Sequence, residues 1–257
     1  GIENGNFFPT AGAAISNEIN EFLHSVGVNI VVGYGLTEST ATVSCLTMTD
    51  YTIGSVGKIM PDLEVKIGEN NEILLRGKSI SKGYYKKAEA NKTAFTEDGW
   101  FRTGDAGYIK DGELYLTERI KDLFKTSNGK YIAPQALETK LVVDRFIEQV
   151  AIIANQRKYV SALIVPNYEH VIAYAKEKGI EYSSLQELLQ NSKIIELFKS
   201  RIDTLQQQFA HYEQVKYFSL LPEPFSMEKG ELTNTLKMKR NIIENNYKEV
   251  IDKMYGA

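Results

Sequence analysis

The chain reads as an α/β (α+β) protein in two parts, and three features of its 257 residues carry that reading. An amphipathic helix followed by an apolar strand comes first. A run of short strands punctuated by turn residues occupies residues 54 to 117, and helices alternate with strands after residue 119. A chain of this length can bury a sizeable core in one or two domains. Its 43% hydrophobic and 25% charged residues are ordinary for a soluble globular protein. A formal net charge of -3 carries no nucleic-acid footprint. The single Cys45 excludes a disulfide within the chain and fits a reducing compartment. No apolar run approaches the roughly 20 residues that a membrane-spanning helix needs. No basic-then-apolar leader stands at the start.

Each element has a local signal. Ser16 is placed to cap a helix whose apolar residues Ile19, Phe22, Leu23 and Val26 recur at helical spacing, with Gly27 to stop it. Asn29 to Val32 reads as a buried strand entering a turn at Gly33-Tyr-Gly35. Glu64 to Ile67 and Glu72 to Leu75 flank a polar loop, and Gly107 to Lys110 and Glu113 to Leu116 flank Asp111-Gly112, a strong hairpin signal. These short strands predict a small β-rich, barrel-like subdomain. Beyond Arg119, residues Lys121 to Ile132 predict a hairpin turning at Ser127-Asn-Gly129, and Pro134 opens a short helix. Strands follow at Gln149 to Ile153 and Val160 to Val165, then helices at about 167–178 and 183–190. A longer helix capped by Ser192 would align Ile195, Phe198, Ile202, Leu205 and Phe209, ahead of a strand at Val215 to Phe218. A final helix from about Lys237 carries Ile243, Tyr247, Val250 and Met254 on one face.

Five motifs carry chemistry. Tyr34-Gly-Leu-Thr-Glu38 follows a strand, where a turn can offer an aromatic ring to a base, a hydroxyl and N–H to phosphate, and a carboxylate to a hard cation such as Mg²⁺. Gly99-Trp-Phe-Arg-Thr-Gly-Asp105 ends in a carboxylate, whose two oxygens are acceptors only and so suit a pair of hydroxyls. Arg119-Ile-Lys-Asp122, Gly129-Lys-Tyr-Ile-Ala-Pro134 and Leu232-Thr-Asn-Thr-Leu-Lys237 complete the set. Taken singly, each has a plain alternative: a strand-to-loop turn, a capping Asp, a solvated hairpin, a tight Ser-Asn-Gly turn, a basic helix terminus facing solvent. His24, His170 and His211 share no metal-ligand spacing.

In this order the five motifs resemble the adenylate-forming (AMP-binding) enzymes, most of all the long-chain fatty acyl-CoA ligases. The resemblance runs from Gly12 to Arg240. It implies ATP-dependent activation of a fatty acid to acyl-AMP, then transfer to the thiol of coenzyme A. It assigns adenine contact to Tyr34 and the adjoining Gly35, phosphate contact to Thr37 and Mg²⁺ to Glu38. Asp105 takes the ribose hydroxyls, and Arg119 makes a second ribose and phosphate contact. Lys121 is the hinge, and Gly129 and Lys130 lie on the loop used in thioester formation. Lys237 is the adenylation lysine, with Lys239 the competing choice. Gly12, Ala13 and Ala14 look like the small-residue segment beside adenine and the acyl tunnel, although helix-entry packing explains them as well. Residues 1–118 are then the end of the large adenylating domain, and 119–257 a small mobile C-terminal lid.

The family's Ser/Thr/Gly-rich phosphate loop, ending Pro-Lys-Gly, is absent. The chain therefore reads as a C-terminal portion whose partner is the missing N-terminal part, inactive alone. The resemblance implies a cytoplasmic enzyme, with peripheral membrane contact left open and no nucleic-acid partner. Two rivals stay open: a ligase serving a carrier protein, and a non-catalytic nucleotide-binding module of the same fold.

Overall fold

The computed structural model describes residues 4–6 and 8–256; Gly1 to Glu3, where the leader was sought and the first domain was expected to begin, Phe7 and Ala257 lie outside the described residues. The chain divides into two compact units, one ending at Asp122 and the other beginning at Leu123. Sequence reasoning set the boundary at 118/119.

The first unit is built on one eight-stranded sheet. Strand β1 (Phe8–Thr10) lies parallel to β2 (Ile30–Tyr34), and helix α1 (Asn17–Ser25) connects them. Ser16 caps α1 as expected, its hydroxyl accepting the Ile19 N–H at 3.1 Å. Then come β3 (Ser44–Cys45), β4 (Lys58–Ile59), β5 (Leu63–Ile67), β6 (Glu72–Gly77), helix α2 (Ala88–Ala94), β7 (Phe101–Lys110) and β8 (Glu113–Arg119). Across the sheet the order is β1-β2-β3-β4-β8-β7-β6-β5. The expected barrel does not form. Strand β4 is two residues long and gives its two edges to β3 and β8, so β5, next in the chain, joins β6 alone among the described strands. Asp111 and Gly112, at φ 52° and 80°, make the predicted hairpin turn between β7 and β8. The unit's core gathers Tyr34, Val43, Ile73, Leu75, Phe101 and Leu114.

The second unit opens with the hairpin of β9 (Phe124–Lys125) and β10 (Tyr131–Ile132), where it was predicted. Helix α3 (Pro134–Leu141) starts at its proline. Strands β11 (Ile147–Ile153) and β12 (Val160–Pro166) are antiparallel, and β13 (Val215–Leu220) lies parallel to β12. Between β12 and β13 run α4 (Tyr168–Glu177), α5 (Leu185–Gln190) and α6 (Ser192–Leu205). The chain then forms α7 (Arg240–Asn246) and α8 (Lys248–Met254). Strand alternation sends Val150, Ile152, Ala162 and Ile164 to one face and Ala151, Ile153, Leu163 and Val165 to the other. Helices α3 to α6 contribute to the first core; α7 and α8 contribute Ile243 and Ile251 to the second. Burial on both faces explains why these strands read as unbroken apolar runs.

Three expectations of detail are corrected. Gly33 and Tyr34 belong to β2, so the turn begins only at Gly35. The cap of α6 is Asn191, whose side chain accepts the Lys193 N–H at 3.0 Å; this makes Ser192 the first helical residue and puts Ile194, not Ile195, in the core. The final helix starts at Arg240 and breaks at Tyr247, leaving Lys237 in a loop. Replacing Asn191 by Ala removes an N-cap and is expected to cost about 1 kcal/mol. Ser192→Ala should stay within about 0.5 kcal/mol of the parent. Chemical denaturation of the two variants checks the assignment.

Candidate functional site

The centre of the first unit's site is an irregularity in β7. Pairing with β6 slips between Leu74↔Arg102 and Glu72↔Ala106, leaving Thr103, Gly104 and Asp105 in a bulge. Gly104 takes φ 73°, open to glycine at little steric cost. Its N–H donates to Glu72 Oε1 at 3.1 Å. Thr103 is buried, donates to the Ile73 carbonyl at 2.7 Å, and accepts the Asp105 N–H at 3.0 Å. Such bulges re-aim side chains, and this one turns Asp105 toward β2 and β8.

Two predicted site residues meet Asp105 there. Tyr34 Oη donates to Asp105 Oδ2 at 2.6 Å, and Arg119, directly across the β7–β8 ladder, brings Nε within 3.6 Å of Oδ1. Burial, above all, lifts the Asp105 carboxyl above its usual range, against the pull of the Tyr34 hydroxyl and the Arg119 charge. Tyr34 is pushed up too, first by burial and then by the Asp105 charge, so it remains a protonated donor. The Tyr34 ring belongs to the apolar core and is 8% exposed. Lys121, the expected hinge residue, lies so close that a Cβ on Gly104 would come within 3.2 Å of its Cε. Trp100 is structural: its buried ring sits with the Lys66 and Arg76 cations each 4.4 Å from its centroid.

The loop after β2 is a second device. Gly35 is obligatory, since a Cβ there would fall 1.3 Å from the Ala41 carbonyl oxygen. A one-turn 3₁₀ segment, Thr37–Ser39, follows, closed by Ser39, whose Oγ accepts the Leu36 N–H and donates to the Leu36 carbonyl, both at 3.0 Å. Thr40 and Ala41 then take left-handed conformations. Thr37 is exposed and Glu38 half-buried. Sequence reasoning missed what holds Glu38: Tyr84 Oη donates to its Oε1 at 2.7 Å, and the Ser81 N–H donates to its carbonyl at 2.7 Å. Asn91 in turn clamps the Tyr84 backbone, accepting its N–H at 2.7 Å and donating to its carbonyl at 3.0 Å. Glu38 Oε2 has no protein hydrogen bond among the described residues. No cluster of three metal-ligating side chains occurs among them either. A lone carboxylate with a free oxygen fits Mg²⁺, which is commonly held by one or two carboxylates together with substrate phosphates. Gly12, Ala13 and Ala14 lie exposed between β1 and α1.

In the second unit, Gly129 and Lys130 are exposed on the β9–β10 turn, with Gly129 at φ 76° and Thr126 Oγ1 accepting the Lys130 N–H at 3.1 Å. Lys237 is exposed on a separate loop, closed by a bridge between Leu232 and Met238. Among the described residues it pairs with no carboxylate. Lys239 precedes α7 and donates its N–H to the Glu231 carbonyl at 2.7 Å.

A partly buried carboxylate flanked by phenol and guanidinium thus shares its unit with a hydroxyl- and carboxylate-bearing loop. Known proteins match the chain. Residues 6–85 match the AMP-binding enzyme family, and residues 121–257 match the AMP-binding enzyme C-terminal domain. The chain is 31% identical over 249 residues to long-chain-fatty-acid–CoA ligase FadD15 of Mycobacterium bovis, covering 96% of this chain and 41% of that protein. It is 32% identical over 265 residues to human long-chain-fatty-acid–CoA ligase 1, covering 96% of this chain and 38% of that one. Among solved structures, the adenylation domain of a carboxylic acid reductase from Segniliparus rugosus, in complex with AMP and a co-purified carboxylic acid, superposes with a TM-score of 0.76. That match is 23% identical and covers 96% of this chain and 39% of the reductase chain, so it speaks to the fold. The chain belongs to the AMP-binding enzymes. It spans about two fifths of the length of the curated relatives it matches.

The raised Asp105 carboxyl has a consequence for stability. A carboxyl whose folded value lies above its unfolded one adds stability in full below the unfolded value, about 4, and loses that stability as pH rises through the folded value. Asp105→Asn removes the ionisation and keeps an acceptor for Tyr34. The variant is expected to unfold at a higher temperature than the parent at pH 7, with the gap closing as pH falls toward 4. A gap that widens on acidification would contradict this account of Asp105.

Proposed function

We propose that the chain is the C-terminal portion of a long-chain fatty acid–CoA ligase. The arrangement of Asp105 with Tyr34 and Arg119 carries the reading, within a chain about 30% identical to such ligases along nearly its whole length. In the first half-reaction the fatty acid carboxylate attacks the α-phosphate of ATP, forming acyl-AMP and releasing pyrophosphate. Asp105 receives the ribose hydroxyls, and Arg119 adds its fixed charge. With 8% of the residue exposed, Tyr34's chief part is to hold Asp105 rather than to stack on adenine. Thr37 offers its hydroxyl to phosphate. Glu38, oriented by Tyr84, would hold Mg²⁺, which when bound offsets phosphate charge. Lys237 stabilises charge developing between the carboxylate and the α-phosphate, a contribution of about 3 kcal/mol or more in a water-excluded site.

In the second half-reaction the thiol of coenzyme A attacks the acyl carbonyl and AMP leaves. The Gly129–Lys130 loop serves this step, and a rotation about Lys121 exchanges it with the Lys237 loop. A hinge need only absorb a backbone change, so a lysine can occupy it. The chain carries no Ser/Thr/Gly-rich phosphate loop, and the 257 residues alone are not expected to form acyl-AMP.

The test follows AMP release from ATP by a polypeptide of the relatives' full length that contains this chain. Turnover should require both a long-chain acid and coenzyme A. Lys237→Ala should lower the first half-reaction by about 100-fold or more. Absence of acid-dependent AMP at any chain length would sink the reading, and robust turnover by the 257-residue chain would sink the claim of inactivity.

A further inference from the structure

We propose that Glu138 and Arg240 are positioning residues for Lys237, forming a strut, buried at its Glu138 end, that fixes the closing foot of the lysine's loop. The inference rests on the role given to Lys237 above.

Lys237 has no ion-pair partner of its own among the described residues, so the loop must do the aiming. The loop is tight: the Thr233 N–H donates to the Lys237 carbonyl at 2.8 Å, the Lys237 N–H donates to Thr233 Oγ1 at 3.0 Å, and Leu236 sits at φ 59°. Both of its feet are tied down. At the opening foot Glu231 is fully buried, its carboxylate accepting the Ser226 N–H and Asn246 Nδ2, each at 3.0 Å. At the closing foot Arg240, three residues past the lysine, sets Nη1 and Nη2 on the two Glu138 oxygens at 2.6 and 2.7 Å. Glu138 Oε1 also accepts the Ile152 N–H at 2.9 Å, and the guanidinium lies 5.4 Å from the Phe124 ring centroid. One side chain of α3 thus joins the sheet strand β11 to the start of α7.

Stability alone is a weak account of such a pair. Exchanging a buried ion pair for apolar residues is often neutral or stabilising. What a two-pronged Arg–carboxylate contact supplies, and packed leucines do not, is a fixed direction. Here that direction is imposed where the chain leaves the lysine loop.

The test uses the full-length enzyme and the double variant Glu138→Gln/Arg240→Met. It keeps an acceptor for the Ile152 N–H and removes both charges of the pair together. Arg240→Lys, which keeps the charge but loses the fork, and Lys237→Ala accompany it. ATP–pyrophosphate exchange reads the first half-reaction, AMP release from supplied acyl-AMP and coenzyme A reads the second, and thermal unfolding reads the fold. The double variant should lose about 100-fold in exchange, the scale of a displaced catalytic group. It should keep its unfolding temperature and the second half-reaction, with Arg240→Lys falling between it and the parent. An equal fall in both half-reactions overturns the inference, as does unchanged exchange where Lys237→Ala abolishes it. Should the double variant not fold, Arg240→Lys is read against the same two outcomes. If Lys237→Ala leaves exchange intact, the functional reading has failed and takes the inference with it.

Discussion

Holding the partly buried Asp105 carboxylate is the constraint around which the first unit's site is organised. A carboxylate taken out of water needs donors, and its charge is disfavoured unless they are close. The fold meets that need from three directions: a phenol from β2, a guanidinium from β8, and a bulge in β7 whose own polar groups are occupied by Thr103 and Glu72. The compensation is incomplete, as the upward displacement of the carboxyl shows. Partial satisfaction suits the role proposed for this group, accepting bonds from a ligand. A carboxylate saturated by its own protein would have nothing left to offer.

The same economy governs Glu38 and Lys237. Each is held by neighbours that leave its reactive end uncommitted. Glu38 gives one oxygen to Tyr84, itself fixed by Asn91, and keeps the other. Lys237 is anchored only through its backbone and its loop's feet, its ammonium facing solvent. Precision resides in the supporting residues, and freedom in those proposed to act.

The sequence made the main lines of the fold legible and singled out the candidate site residues, because both leave local traces. Strands β11 and β12 show as apolar runs, the Asp111-Gly112 turn as a glycine-bearing dipeptide, and Asp105 and Lys237 as members of contiguous motifs. The supporting residues leave none. Tyr84 stands 46 positions from Glu38, and Arg240 stands 102 from Glu138, so no spacing rule connects either pair. The barrel expectation failed for a related reason: strand content is a local property, whereas closure depends on which edges remain after pairing. The cap of α6 was misplaced by one residue because Asn191 and Ser192 are both good capping types, and only backbone geometry separates them.

Trp100, the chain's one tryptophan, lies buried in the first unit with two cations against its ring. Excited where tyrosine does not absorb, its indole reports on the unfolding of that unit. Loss of Lys66 or Arg76 from the ring on unfolding would change quenching at the same moment that water reaches the indole. The two halves can thus be followed separately in one cuvette, the first by tryptophan emission and the second by the far-ultraviolet signal that remains once the emission transition is complete.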